Sequence, residues 1–104
     1  MSGNHSRRKG ARVEREIVQR HTDLHILARR VPLSGASDYT HGADVDIYPF
    51  GEENGPLVAE VKSRKTLPKA WADWLGEADL LFLKQDRQEP MVLMPWSTYA
   101  RLVK

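Results

Sequence analysis

The stretch that decides the fold is residues 44–62, DVDIYPFGEENGPLVAEVK, in which two apolar runs flank a loop. The first run, Asp44 to Phe50, predicts a β-strand because aliphatic and aromatic residues dominate it, and the second run, Leu57 to Lys62, predicts another. The loop Gly51–Gly55 between them is polar and begins and ends with glycine, as hairpin loops often do. The sequence therefore predicts a β-hairpin at the centre of the chain.

The charged side chains of this hairpin predict a metal site. Successive side chains of a strand point to opposite faces, so Glu60 and Lys62 share one face, and Asp44 and Asp46 share one face of the neighbouring strand. Mg²⁺ takes one or two carboxylate ligands and fills its other positions with water or substrate phosphates. Carboxylates that hold such an ion beside a lysine are suited to phosphodiester hydrolysis.

The segments outside the hairpin predict an α/β (α+β) protein. Residues 8–21 show helical spacing, and residues 25–31 read as a strand that ends at Pro32. The order αβββαββα predicts a central mixed β-sheet flanked by helices. After the hairpin, the sequence predicts a helix from Pro68, strands over Leu80–Lys84 and Met91–Met94, and a last helix capped by Ser97. The first of these helices carries an apolar stripe of Trp71, Trp74, Leu75 and Ala78, which is expected to be core, with stacking of the two tryptophans on bases as the alternative.

The first predicted helix carries a carboxylate on its apolar side. Val13, Ile17 and Val18 form the apolar arc, and Glu14 falls inside it. A carboxylate that points into the fold is costly unless a partner neutralises it. The sequence leaves two explanations open, a role in the predicted metal site or an ion pair with a residue four positions away on the helix, such as an arginine.

The ordered set of motifs resembles the PD-(D/E)XK nuclease superfamily, and within it the Holliday-junction resolvases of archaea and phages (the Hjc-like group). The resemblance covers roughly residues 7–65 in motif and continues beyond them only as element order. It implies a restriction-endonuclease-like core, a flexible basic tail over residues 1–7 and a single nuclease domain over residues 8–104. The matching motifs are Arg8-Lys9-Gly10, Val13-Glu14-Arg15-Glu16, Ser34-Gly35, Asp44-Val45 and Glu60-Val61-Lys62.

The resemblance also implies a role for each residue of the site, with Mg²⁺ as the cofactor and Mn²⁺ as a substitute. Both aspartates precede an aliphatic residue, and Asp44 is favoured over Asp46 because it also follows a small one. Lys62 would orient the attacking water and offset charge in the transition state. The implied catalytic residues are Glu14, Asp44, Asp46, Glu60 and Lys62, and the implied metal ligands are Asp44, Glu60, Asp46, Glu14 and the backbone carbonyl of Val61.

Basic residues cluster in the first twenty positions and again after the predicted hairpin. Such clusters neutralise DNA phosphates, although ordinary solvated surface charge is the alternative. The resemblance implies branched four-way DNA junctions as the substrate and a homodimer as the working form. The predicted DNA-binding residues are Arg7, Arg8, Lys9, Arg12, Arg15, Ser34, Arg64 and Lys65.

Composition further narrows the classes of protein to which this chain could belong. The chain has 104 residues and no cysteine, which excludes disulfides and cysteine-ligated zinc and fits a reducing compartment. No apolar run approaches the ~20 residues of a membrane span, so a cytoplasmic protein, phage-encoded or cellular, is expected. Two other functions remain open, a general or nicking DNA nuclease of the same fold and a non-catalytic nucleic-acid-binding domain.

Overall fold

The computed structural model describes the backbone of residues 2–32 and 44–104, and the side chains of residues 9–32 and 44–104. The helices and strands follow one another in the predicted order, with one short 3-10 turn added. The α+β class is confirmed. The elements are α1 (Ser2–Asp23), β1 (Leu27–Arg30), β2 (Val45–Tyr48), the 3-10 turn (Glu52–Asn54), β3 (Leu57–Ala59), α2 (Lys69–Leu75), β4 (Leu81–Leu83), β5 (Met91–Leu93) and α3 (Trp96–Val103).

The chain divides into two compact units, residues 1–63 and residues 64–104, which we call the N-terminal and C-terminal units. The N-terminal unit contains a three-stranded sheet in the order β1-β2-β3, and the C-terminal unit contains the pair β4-β5. Every pairing among the described strands is antiparallel, whereas the sequence predicted one mixed sheet. Short loops join β2 to β3 and β4 to β5, and strands joined in this way pair antiparallel.

One face of the three-stranded sheet lies against α1, which contacts β1 and β2. Directly paired residues share a face, so Ala28 and Ile47 lie on this helix-covered face, as do Arg30 and Val45. Val45 is fully buried, and burial alternates along β2. Asp46 therefore lies on the opposite face of the sheet. The buried apolar core of the described residues is Ile26, Ala28, Val45 and Ile47.

Several element boundaries in the N-terminal unit differ from the prediction. β1 begins at Leu27 because His25 has a φ of 62°, a left-handed conformation that does not fit a strand. Helix α1 begins at Ser2, so the segment predicted as a flexible tail over residues 1–7 has a helical backbone from Ser2 onward. This segment contains no proline, the residue that most strongly breaks a helix.

The hairpin between β2 and β3 lies where the sequence predicted it, but its strands are shorter than predicted. Gly51 and Gly55 have φ values of 94° and 77°, which only glycine adopts readily, and they bracket the 3-10 turn. β3 ends at Ala59, whereas the prediction extended it to Lys62. The motif residues Glu60 to Lys62 therefore follow the strand directly.

In the C-terminal unit, helix α2 is shorter than predicted. It ends at Leu75 because Gly76 adopts a φ of 53° and donates its N–H to the carbonyl of Ala72, a common glycine helix end. Ala78 therefore lies outside the helix. Trp71 and Trp74 are exposed, so the predicted core stripe is not a buried core.

The last helix also starts earlier than predicted. Pro95 is extended and immediately precedes α3, which begins at Trp96. The N–H groups of Thr98 and Tyr99 donate to the Pro95 carbonyl. Ser97 thus lies inside the first turn, and the prediction that it caps the helix was wrong.

Replacing Val45 with Ala should lower the free energy of unfolding by about 2 kcal/mol, because a fully buried side chain loses two methyl groups and leaves a cavity. Val58→Ala is the matched control, since Val58 lies on the neighbouring strand and is 54% exposed. Urea denaturation followed by circular dichroism measures both. Equal effects at the two positions would contradict this placement of the core.

Candidate metal site

Asp44 immediately precedes β2, and main-chain hydrogen bonds tie it to the residue after β1 and to the last residue of β3. Its carbonyl accepts the N–H of Val31 at 2.9 Å, and its own N–H donates to the carbonyl of Ala59 at 3.0 Å. Its carboxylate oxygen Oδ2 accepts the N–H of Val61 at 2.7 Å, in a partly buried position. Because Val61 is the middle residue of the Glu-Val-Lys motif, this bond holds the Asp44 carboxylate against that motif.

Glu60 and Lys62 flank Val61 and form an ion pair. The Lys62 Nζ lies 3.6 Å from Glu60 Oε2, and the two side chains are 67% and 49% exposed. An exposed pair of this kind stabilises a fold by only ~0–1 kcal/mol. The fold therefore depends little on these two charges, and both side chains are open to a ligand.

The register of the hairpin brings Asp44 and Glu60 to the same end of the sheet. Val45 pairs with Ala59 as the last pair of β2 and β3 in that direction. Asp44 and Glu60 are the next residues of the two strands. Carboxylates from two separate segments thus emerge at one end of the hairpin, with Lys62 two residues further along.

Asp46, the other candidate ligand, lies within β2 between Arg29 of β1 and Val58 of β3. Arg29 bonds to Glu52 at 2.7 Å and lies 5.4 Å from the centroid of the Tyr48 ring. The hydrogen bond from Arg29 to Glu52 raises the pKa of the Arg29 guanidinium above its usual value. Asp46 therefore has an arginine opposite it on the neighbouring strand, while Asp44 is the aspartate bonded to the motif.

Glu14 pairs with an arginine, although not with one four positions away on the same helix, as the alternative to a metal role had assumed. Arg30 Nε lies 3.0 Å from Glu14 Oε1, and the two side chains are 34% and 19% exposed. The partner comes from β1 and not from the same helix. Sequence analysis did not assign Arg30 to Glu14, although the acidic residue inside the apolar arc of α1 signalled that a cation was needed.

The predicted gathering of three carboxylates is not found in the part of the chain that the structure describes. Among residues 9–32 and 44–104, no group of three or more His, Cys, Asp or Glu side chains has the arrangement to hold a metal ion. The two carboxylates Asp44 and Glu60 remain at the end of the hairpin. Two carboxylate ligands are sufficient for Mg²⁺, which completes its octahedron with water and phosphate oxygens.

The predicted DNA-binding residues fall in different parts of the chain. Arg12 and Arg15 are exposed on α1, and Lys9 is half-buried there. Arg7 and Arg8 have helical backbones, but their side chains lie outside the described residues, as does Ser34 entirely. Arg64 and Lys65 are exposed and begin the C-terminal unit.

Comparison with protein-family models, with curated proteins and with solved structures found no match for this chain. Within the residues described here, no helix combines the length and apolar character required to cross a membrane. The functional interpretation therefore depends on the chemistry and geometry of the residues themselves.

Proposed function

We propose that this protein is a Mg²⁺-dependent DNA endonuclease with chemistry of the PD-(D/E)XK type. The observation that carries the proposal is the 2.7 Å hydrogen bond from the Val61 N–H to the Asp44 carboxylate. This bond brings an aspartate of one strand to a Glu-Val-Lys segment that follows the next. Carboxylates that can bind a metal ion, together with a lysine ammonium beside them, are the groups used in metal-assisted phosphodiester hydrolysis.

In this proposal Asp44 and Glu60 hold the ion, with the Val61 carbonyl as a further ligand. The bound ion would polarise the phosphate and lower the pKa of a water molecule. The Val61 N–H holds one oxygen of the Asp44 carboxylate, and this bond would orient the other oxygen as a metal ligand. Lys62 would leave Glu60 to orient the attacking water and to stabilise the extra negative charge that develops on the phosphate.

The exposed arginines of α1 support DNA as the substrate. On a helix, positions 8, 12 and 15 fall on one side, and Arg12 and Arg15 are exposed. Arginines in a row of this kind bind phosphates and position the duplex without reading its bases. We therefore propose a nuclease that selects DNA by its shape and charge.

We propose four-way junctions as the preferred DNA and a homodimer as the working form, on the strength of the motif resemblance over residues 7–65. A four-way junction presents two symmetry-related strands, and a two-fold symmetric dimer presents two equivalent sites to cut them. A second copy also doubles the basic surface that a chain of 104 residues offers.

A cleavage assay separates this function from its alternatives. The purified protein is incubated with a synthetic four-way junction, with a linear duplex of the same sequence and with plasmid DNA, each with and without Mg²⁺. Mg²⁺-dependent cutting of the junction alone is the expected result. Cutting of all three substrates indicates a general or nicking nuclease, and binding without cutting contradicts the enzymatic proposal.

Arg12→Gln should weaken DNA binding and reduce the slope of log K against log salt by about 0.9, the value for one lost phosphate contact. Arg20→Gln is the matched control on the same helix, because Arg20 already forms an ion pair with Glu16 at 3.0 Å. Fluorescence anisotropy at several salt concentrations measures both variants. An equal change of slope in the two would contradict a specific role for the Arg12 side of α1.

A further inference from the structure

We infer that Glu14 is a positioning residue held by Arg30, and that the candidate site binds one divalent ion through Asp44 and Glu60 without Glu14. The inference rests on the proposed function, since it concerns how the proposed site holds its metal. It assigns Arg30 the role of holding Glu14, and it predicts that the site binds one divalent ion.

The first observation is the pairing itself. Glu14 is the more buried partner, at 19% exposure, and its Oε1 lies 3.0 Å from Arg30 Nε. Removing one partner of a partly buried ion pair leaves a poorly solvated charge without compensation, which is unfavourable. A metal ion that bound Glu14 through Oε1 would displace Arg30, which would then lack this partner for its charge.

The second observation is where the pair lies in the sheet. Arg30 stands opposite Val45 on the face that α1 covers. The Asp44 carboxylate instead bonds to the main chain of Val61, beyond the end of β3. The pair thus joins α1 to the last residue of β1, and the next residue, Val31, donates its N–H to Asp44. The Glu14–Arg30 ion pair therefore supports the backbone beside Asp44, and the metal ion would be bound by Asp44 and Glu60 of the hairpin.

The third observation is the charge of the side chains at the candidate site. Asp44 and Glu60 provide two negative charges, and Lys62 lies 3.6 Å from Glu60. Two carboxylates balance one divalent ion, and the lysine ammonium repels a second. Among the described residues no third acidic side chain joins these two in a metal-binding group, so the pair has the charge for one ion.

The test is a titration of the full chain with Mn²⁺, in which electron paramagnetic resonance measures free Mn²⁺. The wild type should bind about one ion per chain, and Asp44→Asn and Glu60→Gln should each weaken binding by about tenfold or more. Glu14→Gln should change the affinity no more than Arg30→Gln does. Arg30→Gln is the matched control because it breaks the same ion pair without removing a carboxylate.

Thermal unfolding of the same proteins separates a positioning role from a ligand role. Glu14→Gln and Arg30→Gln should lower the melting temperature by similar amounts, and the double variant should lower it by less than the sum. Arg30→Lys, which keeps the charge, should restore part of the loss. A variant that fails to fold does not block the test, because the number of ions is read from the wild type.

Two results would overturn the inference while the proposed function stands. One is two bound ions per wild-type chain, and the other is a loss of affinity in Glu14→Gln that matches Asp44→Asn and is absent in Arg30→Gln. A wild type that binds no Mn²⁺, or that binds it unchanged after Asp44→Asn and Glu60→Gln, contradicts the proposed function and this inference with it.

Discussion

Glu60→Gln should reduce the rate of DNA cleavage by about 10²–10³-fold, the range for loss of one group that stabilises charge in a transition state. The substitution keeps the size of the side chain and removes its negative charge. Glu60 is half exposed, and its ion pair with Lys62 contributes little to folding. The loss should therefore appear in cleavage and not in the melting temperature.

DNA binding by Glu60→Gln should remain equal to that of the wild type or become tighter, because a negative charge near the phosphates is removed. Glu53→Gln is the matched control, since Glu53 is an exposed glutamate of the same hairpin in the 3-10 turn. It should cleave at the wild-type rate. Cleavage retained by Glu60→Gln at that same rate would remove Glu60 from the site.

Asp44→Asn should lose cleavage by about 10²-fold or more, whereas Asp46→Asn should stay within a few-fold of the wild type. The asparagine side chain still offers an oxygen to the Val61 N–H, so the hydrogen bond that orients residue 44 is retained. Only the charge on the candidate ligand is lost. Asp46 lies further along β2, between Arg29 of β1 and Val58 of β3.

Single-turnover kinetics at saturating protein measure this pair of variants, because they separate the cutting step from DNA binding. Circular dichroism confirms that both fold. The reverse order, with Asp46→Asn the slower variant, would mean that Asp46 is the ligand. Wild-type rates in both would contradict the assignment of this strand to the site.

The features that were predictable from sequence are those with a local pattern. Strand β2 has alternating burial that matches the alternation of aspartate and aliphatic residues in its sequence, and the loop after it begins and ends with glycine. The position of Glu14 inside the apolar arc of α1 follows from helical spacing, and the structure shows Glu14 half-buried while Arg12 and Glu16 are exposed. Local periodicity and short apolar runs also predicted the helices and strands of the described residues, with errors at their ends.

The features that were not predictable depend on contacts between distant residues or on single backbone angles. Arg30 is 16 positions from Glu14, and no local pattern shows which arginine reaches it. The left-handed conformation of His25 moves the start of β1 to Leu27. Gly76 ends α2 at Leu75, so Ala78 lies outside the helix and is not part of its apolar stripe. Glycine and turn positions signal that an element ends, but they do not fix the residue at which it does so.

The most direct test of the central claim is the position of a bound ion. Crystals grown with Mn²⁺ give an anomalous difference map that locates the ion without reference to activity. The account predicts one peak within coordination distance of the Asp44 and Glu60 carboxylates, with Lys62 beside it and Glu14 still paired with Arg30. An ion bound elsewhere on the chain, with Asp44 and Glu60 free of metal, would contradict it.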